Sequence, residues 1–284
     1  MNPIVIPDSY NYIGAFITFG CNLNCSYCIN NFEKGLLNKK IISGKEWVRL
    51  LNRIESREDL PVTLQGGEPT THPDLIYIVN NIKAELNIDI LTNLQFDIDK
   101  FVREVDPERI KRDSPYASIR VSYHPEKMDL EDTMKRVLKM QDNGYSVGMW
   151  SVLHPHYEKH ILESQKICED LGIDFRTKEF LGEYEGKLYG TYKYEDACKK
   201  EAKRKVLCRP TEFLIDSEAK IYRCHHDLYK GMNSIGSLYD DSFNPDTIFR
   251  ECDYYGFCNP CDIKVKTNRF QRFGHTSVEI KFLD

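Results

Sequence analysis

Gly20-Cys21-Asn22-Leu23-Asn24-Cys25-Ser26-Tyr27-Cys28 decides how the rest of this 284-residue chain is read. Three cysteines lie in one short stretch, with three residues and then two between them. The stretch follows an apolar run, Ile13-Gly14-Ala15-Phe16-Ile17-Thr18-Phe19, that reads as a buried strand ending in a glycine turn. Thiolates so close together on a strand-end loop can share one iron–sulfur cluster without forcing the backbone. Three ligands on a cluster of four irons leave one iron open, whereas an electron-transfer cluster fills all four positions. Zinc is the competing reading, but it wants a fourth ligand from a second knuckle, and none lies nearby.

Working outward, Pro61-Val62-Thr63-Leu64 is a second strand-like run, placed one helical crossover downstream as a βαβ unit requires. It ends in Gln65-Gly66-Gly67-Glu68-Pro69-Thr70. Paired glycines let backbone approach a ligand closely, and Glu68 offers an acceptor for a cationic group. A CxxxCxxC loop with an aromatic before its third cysteine, followed by a GGEP strand end, resembles the radical S-adenosylmethionine (SAM) superfamily. The resemblance implies a 4Fe–4S cluster on Cys21, Cys25 and Cys28, with SAM chelating the open iron. It implies that Gly66, Gly67 and Glu68 receive the SAM amino group, with Tyr27 and Pro69 beside the cofactor. It covers residues 13 to about 180.

The repeating order supports the same architecture. Trp47, Val48, Leu50, Leu51 and Ile54 fall at helical spacing after Gly44. A helix through Leu75–Ile82 follows the GGEP strand, with Pro73 at its start. Strands are expected at Ile88–Leu94, Ala117–His124, Val147–Leu153 and Ile173–Arg176, alternating with helices near Asp97–Glu104, Leu130–Asn143 and His156–Leu171. Gly144 is the expected cap of the second of these. The fold class is therefore α/β, a partial (β/α)6 TIM-like barrel over residues 1–180, in which 1–12 form a short leader or edge strand. Ligands in such sheets sit at the carboxyl ends of the strands. That rule selects Asn93, Ser122, His124 and Ser151–His154, and the resemblance adds Ser122 and Asn93 as SAM contacts. His124 and His154 each precede a proline, so loop shaping competes with acid–base work.

Residues 181–207 connect the barrel to a small C-terminal domain, 208–284. Leu181–Tyr194, rich in glycine and tyrosine, reads as a hairpin or loop over the substrate or as a linker. Lys199–Lys205 reads as the solvated face of a helix. Cys208 and Cys224 flank Glu212–Arg223, two strands joined by a turn, a length that brings flanking residues together. Cys258 and Cys261 form a CxxC knuckle. The arrangement resembles the auxiliary-cluster extension called twitch, the shortened SPASM domain. On that match Cys208, Cys224, Cys258 and Cys261 hold a second 4Fe–4S cluster. Ala219 stands where that family's hairpin carries glycine, and Cys252 is an extra thiol able to replace a ligand. A zinc ribbon is the competing reading of four paired thiols, and Cys168 and Cys198 read as plain thiols.

Composition bounds the remaining choices. The 39 basic and 44 acidic residues give a net charge of −5, which argues against broad nucleic-acid binding. No apolar run reaches membrane-spanning length and no signal peptide is visible, so ten cysteines point to metal binding in a reducing cytoplasm. The resemblance implies reductive cleavage of SAM, hydrogen abstraction from a small metabolite or peptide, and an external reductant such as flavodoxin or ferredoxin. The auxiliary cluster would assist oxidation or bond formation. About a dozen residues precede the first strand, too few for a leader-binding domain, which favours a small molecule or a peptide delivered by a separate protein. An RNA-modifying enzyme and a non-catalytic iron–sulfur protein for electron transfer or redox sensing are the competing functions.

Overall fold

The computed structural model of the protein describes residues 2–30, 41–266 and 274–283. The first strands are β1 (Ile4–Val5) and β2 (Ile13–Thr18), followed by α1 (Gly44–Leu51), β3 (Ile54–Glu55) and β4 (Val62–Gly66). Next come α2 (Leu75–Asn81), β5 (Ile88–Thr92), α3 (Ile98–Glu104), β6 (Ile119–Ser122) and α4 (Leu130–Asp142). The alternation closes with β7 (Val147–Leu153), α5 (Glu158–Asp170) and β8 (Phe175–Glu179). Strands β2, β4, β5, β6, β7 and β8 lie side by side and parallel in that order. This is the expected α/β architecture with its parallel sheet. Every residue of β2 and of β4 is buried, as sheets covered on both faces require, and this is why these strands read as unbroken apolar runs.

Helix ends are set locally. Ser43 accepts the Glu46 amide at the start of α1, Asp97 that of Lys100 at α3, and Asp129 that of Asp132 at α4. Gly144, at φ +87°, follows the last turn of α4, a left-handed conformation that glycine adopts without steric cost. Val62, Leu64, Ile88, Ile90, Ile119, Val121, Val147, Met149 and Phe175 pack with the helices in one core. Their alternates, including Thr63, Gln65, Asp89, Arg120, Trp150 and Lys178, therefore turn to the concave face.

The leader strand β1 pairs with β3 as a separate parallel pair. Beyond β8, β9 (Gly182–Tyr184) and β10 (Lys187–Tyr189) form an antiparallel hairpin inside the tyrosine-rich segment. The basic run is not a helix. Lys200–Ala202 make a single 3-10 turn, and β11 (Arg204–Pro210) begins directly after it. Arg204 explains the difference, because its guanidinium lies over the rings of Tyr255 and Phe282 at 4.7 and 4.2 Å. Both rings belong to the neighbouring strands of β11, so stacking across the sheet holds the run extended.

The chain after Cys208 divides between two sheets. Strands β12 (Phe213–Ile215) and β13 (Lys220–Tyr222) form the expected hairpin, but β12 also pairs in parallel with β2. Helix α6 (His225–Lys230) follows, and β14 (Gly236–Ser237) extends the main sheet to nine strands. Strand β15 (Arg250–Tyr255), the short helix α7 (Pro260–Ile263) and β16 (Val278–Phe282) complete the chain. β15 and β16 flank β11 antiparallel in a three-stranded sheet. Ala219, in the hairpin turn, sits at φ +63°, which is the physical reason a glycine suits that position.

Candidate functional site

The carboxyl ends of the parallel strands bring the two N-terminal motifs together. Gly67 and Glu68 donate their amides to the carbonyls of Thr18 and Gly20, at 3.1 and 2.8 Å. A Cβ on Gly66 would lie 2.0 Å from the Thr18 carbonyl oxygen, and one on Gly67 2.3 Å from that of Gly20. The paired glycines thus let β4 close against the turn that carries Cys21. The sequence reading gave them to a ligand; their first task is this strand-to-strand approach.

Glu68 is buried, and both its oxygens are engaged. Oε1 accepts the Thr70 amide at 3.1 Å and the hydroxyls of Thr70 and Thr92, each at 2.7 Å; Oε2 accepts the Asn93 amide at 2.6 Å. Burial pushes its carboxyl up while these four donors hold it down. Pro69 fills the first position of the 3-10 turn that Glu68 caps. Asn93 donates its side-chain amide to Asn22 Oδ1 at 2.7 Å, and Asn22 in turn donates to the Gln95 carbonyl at 3.1 Å. Asn93 thereby ties the end of β5 to the cysteine loop. Ser122 ends β6, half-buried on the concave face.

The cysteine loop has a support that no local motif announces. Glu126 Oε2 accepts the amide and hydroxyl of Ser26, at 2.9 and 3.2 Å, from one hundred residues away in sequence. Cys21 and Cys28 are exposed, Cys25 is half-buried, and none is in a disulfide. Partial burial and the neighbouring thiols push Cys25 up to about 12, so metal loading of this loop releases protons. Among the described residues, no three His, Cys, Asp or Glu side chains already surround one point at single-ion distances. A four-iron cluster spreads its thiolates wider than one ion does. Three free, neighbouring thiols on a loop open to solvent fit that group.

Tyr27 packs into an aromatic wall beside the cysteine loop. Its ring lies 4.8 Å from that of His154 and 5.8 Å from that of His124, and its hydroxyl is 3.4 Å from His124 Nδ1. Phe180 and Tyr184 each meet His154 edge-on at 4.7 Å, so the β9–β10 hairpin closes the wall. Burial lowers His124 to about 4 and also lowers His154, leaving both imidazoles neutral at pH 7.

The C-terminal thiols occupy a different setting. Cys208, Cys224 and Cys252 are buried in an apolar core with Tyr255, Val278 and Ile280, against which Cys198 and Cys258 pack. Cys252 is opposite Val206 and Cys208 opposite Arg250, so the two cysteines are diagonal neighbours on one face of adjacent strands. Each thiol feels the other, and Arg223 eases loss of the first proton from the pair. Arg223 donates to Asp227 Oδ2 at 2.9 Å and to the Glu251 carbonyl at 3.0 Å. Cys224 caps α6 through its sulfur, which accepts the Asp227 amide at 3.4 Å. Asp262 accepts the amides of His225 and His226, at 2.7 and 3.0 Å, and so fixes the CxxC knuckle to α6. Cys261 faces Lys266, Asp262, Glu212 and Lys264. The two cysteine regions approach each other at Tyr229, whose ring feels both Cys28 and Cys261 and whose hydroxyl donates to Asn30 at 2.7 Å.

The model of the Radical SAM superfamily matches residues 16–112, which contain both N-terminal motifs. Among curated proteins, the chain is similar to a GTP 3′,8-cyclase of Clostridium perfringens, at 24% identity over 88% of this chain and 80% of that one. It is also similar to a PqqA peptide cyclase of Bradyrhizobium diazoefficiens, at 35% identity over 28% of this chain and 20% of that one. Among solved structures, Streptococcus suis SuiB bound to precursor peptide SuiA matches with a TM-score of 0.54 and 14% identity, over 85% of this chain and 64% of that one. Native anSMEcpe with bound AdoMet and the Kp18Cys peptide matches with a TM-score of 0.53 and 15% identity, over 84% and 78%.

Proposed function

We propose that this chain, a radical SAM enzyme, uses its strand-end cysteine loop to cleave SAM and take a hydrogen atom from a substrate held on the concave face of its sheet. The observation that carries the reading is one arrangement: the loop of Cys21, Cys25 and Cys28 is clamped to the Gly66–Glu68 strand end by paired main-chain hydrogen bonds. Cys21, Cys25 and Cys28 would hold a 4Fe–4S cluster, which, reduced by an external one-electron donor, would supply the electron for reductive cleavage of SAM and so for hydrogen abstraction from the substrate.

The chain's own residues orient and exclude. Glu68, held rigid by four donors at the end of β4, is an anion that suits the SAM ammonium. Thr92 and Asn93 fix that carboxylate, and Asn93 with Glu126 fixes the loop against it. Tyr27, His124 and His154 wall off the other side with neutral rings, so no imidazolium repels the sulfonium of SAM. Cys208, Cys224, Cys258 and Cys261 would hold a second cluster; Cys252, diagonal to Cys208, is the alternative fourth ligand. Buried thiolates beside Arg223 suit a group that stores charge and takes an electron from the substrate.

A peptide substrate is the second reading, favoured by the precursor peptide in the SuiB structure and the peptide in that of anSMEcpe. The test of the main reading is 5′-deoxyadenosine formation by the anaerobically reconstituted protein under a strong reductant. Wild type should form it, and Cys25→Ala should lose at least about a thousandfold, as removal of an essential group does. Cleavage retained in Cys25→Ala would overturn the assignment.

A further inference from the structure

On the concave face, below the cysteine loop, hydrogen-bond donors outnumber acceptors. Arg120 and Gln65 are both buried, and Arg120 Nε, Arg120 Nη1 and Gln65 Nε2 have no hydrogen-bond partner. The side chain of Lys178, on β8, has neither an ion pair nor a hydrogen bond among the described residues. Its ammonium feels the cations Arg120, Lys264 and Lys266, and the Cys261 thiol. Arg120 reaches across β5 to Thr63 Oγ1 at 3.3 Å, two residues before Gln65 on the same face of β4.

The carboxylates nearby are spoken for. Asp89 is held by Arg112 at 2.6 Å and by Arg120 at 3.3 Å, two guanidiniums to one acid. Glu179 pairs with Lys264 at 3.4 Å. Glu212 pairs with Lys266, and its one orphaned oxygen belongs to that ion pair. Arg112, Arg120, Lys178, Lys264 and Lys266 thus face three carboxylates and the Cys261 thiol. Native proteins rarely leave buried donors and charges uncompensated without a functional cause.

The geometry points to Arg120, Lys178 and Gln65 as the recognition site for an anionic group of the substrate, a carboxylate or a phosphate. The inference deepens the proposed function and rests on the concave face being its reaction chamber. Arg120 offers Nε and Nη1, two free charged donors for a carboxylate or phosphate oxygen. Lys178 supplies the point charge and Gln65 a neutral donor. An anion anchored here would stand below the cysteine loop, orienting the rest of the substrate toward it.

The test uses the full chain, reconstituted anaerobically and saturated with SAM, titrated at fixed ionic strength with inorganic phosphate and with glutarate. Calorimetry should show at least one of them binding, and the tighter one identifies the group as phosphate or carboxylate. Lys178→Met leaves no polar group orphaned; it should weaken that binding about tenfold or more, while Lys178→Arg restores it. Absence of binding by both anions overturns the inference, as does equal binding in Lys178→Met. Weaker SAM binding in Lys178→Met also overturns it, because the anion would then be the carboxylate of SAM. If wild type cleaves SAM but binds neither anion, this inference alone fails; if it does not cleave SAM, the proposed function fails first.

Discussion

The two cysteine regions differ in what surrounds them. The N-terminal thiols stand on a loop at the mouth of the parallel sheet, two of them exposed, tied by hydrogen bonds to Gly66–Glu68, Asn93 and Glu126. Cys208, Cys224 and Cys252 sit inside an apolar core between strands, with a buried arginine among them. A loop open on one side can present a metal group to a ligand, whereas a core can only enclose one. On the proposed function the first region would carry turnover and the second would store charge, so each should lose something different on mutation. The sharpest break is iron content. About eight irons per chain are expected in the reconstituted wild type and about four in a Cys21/Cys25/Cys28 triple-Ala variant, from four irons per cluster. Four and none would leave the C-terminal thiols to zinc or to packing, and the comparison would collapse.

Stability should separate the regions next. Arg223 is buried against Asp227, whose side chain is 1% exposed. Arg223→Met leaves that carboxylate enclosed and unpaired, a loss of about 3–5 kcal/mol. Urea unfolding of the variant should show it as a lower midpoint, whereas Cys25→Ala, on an exposed loop, should leave the midpoint within about 0.5 kcal/mol of wild type. Equal midpoints for Arg223→Met and wild type would show that the C-terminal core does not depend on its arginine.

Glu68→Gln probes the first region without touching a thiol. The amide nitrogen would face Asn93 N–H or the Thr70 and Thr92 hydroxyls, turning an acceptor into a donor at a buried site. The expected cost is about 2 kcal/mol of stability, together with about a tenfold loss in SAM affinity through the missing charge. Titration of SAM into the anaerobic protein reads the second quantity. Unchanged affinity would reduce Glu68 to a strand-end brace.

The elements legible in sequence were those whose signals are local. Parallel strands buried on both faces leave continuous apolar runs, so β2, β4, β5, β6 and β7 fell where the sequence placed them, within a residue or two at their ends. The cysteine spacing and the GGEP strand end were legible for the same reason. What escaped was set by partners far along the chain. Lys199–Lys205 has the composition of a solvated helix, yet Arg204 is held extended by rings fifty and more residues later. The β12–β13 hairpin was readable, but not its parallel docking on β2, a contact between residues some two hundred apart. Cys252 meets Cys208 only because β15 pairs with β11 in one register. Glu126 and Lys178 carry no motif; burial and missing or distant partners alone single them out.

The smallest effect concerns the wall of neutral rings. Burial brings His124, and separately His275 near the C-terminal sheet, down to about 4 from the ordinary 6.5. Each therefore binds fewer protons folded than unfolded between about pH 4 and 6.5, and stability falls as pH is lowered across that window. Between pH 6.5 and 5.5 the loss should be about 1 kcal/mol per histidine, bounded by 1.36 kcal/mol for each unit. His124→Gln should remove its share of the slope, leaving that of His275, and paired urea titrations at the two pH values measure both. If the slope is unchanged in His124→Gln, the imidazole at the Tyr27 wall is already open to protons. The wall would then carry positive charge toward the cofactor at mildly acidic pH, and the open and enclosed regions of the molecule would differ less than their burial implies.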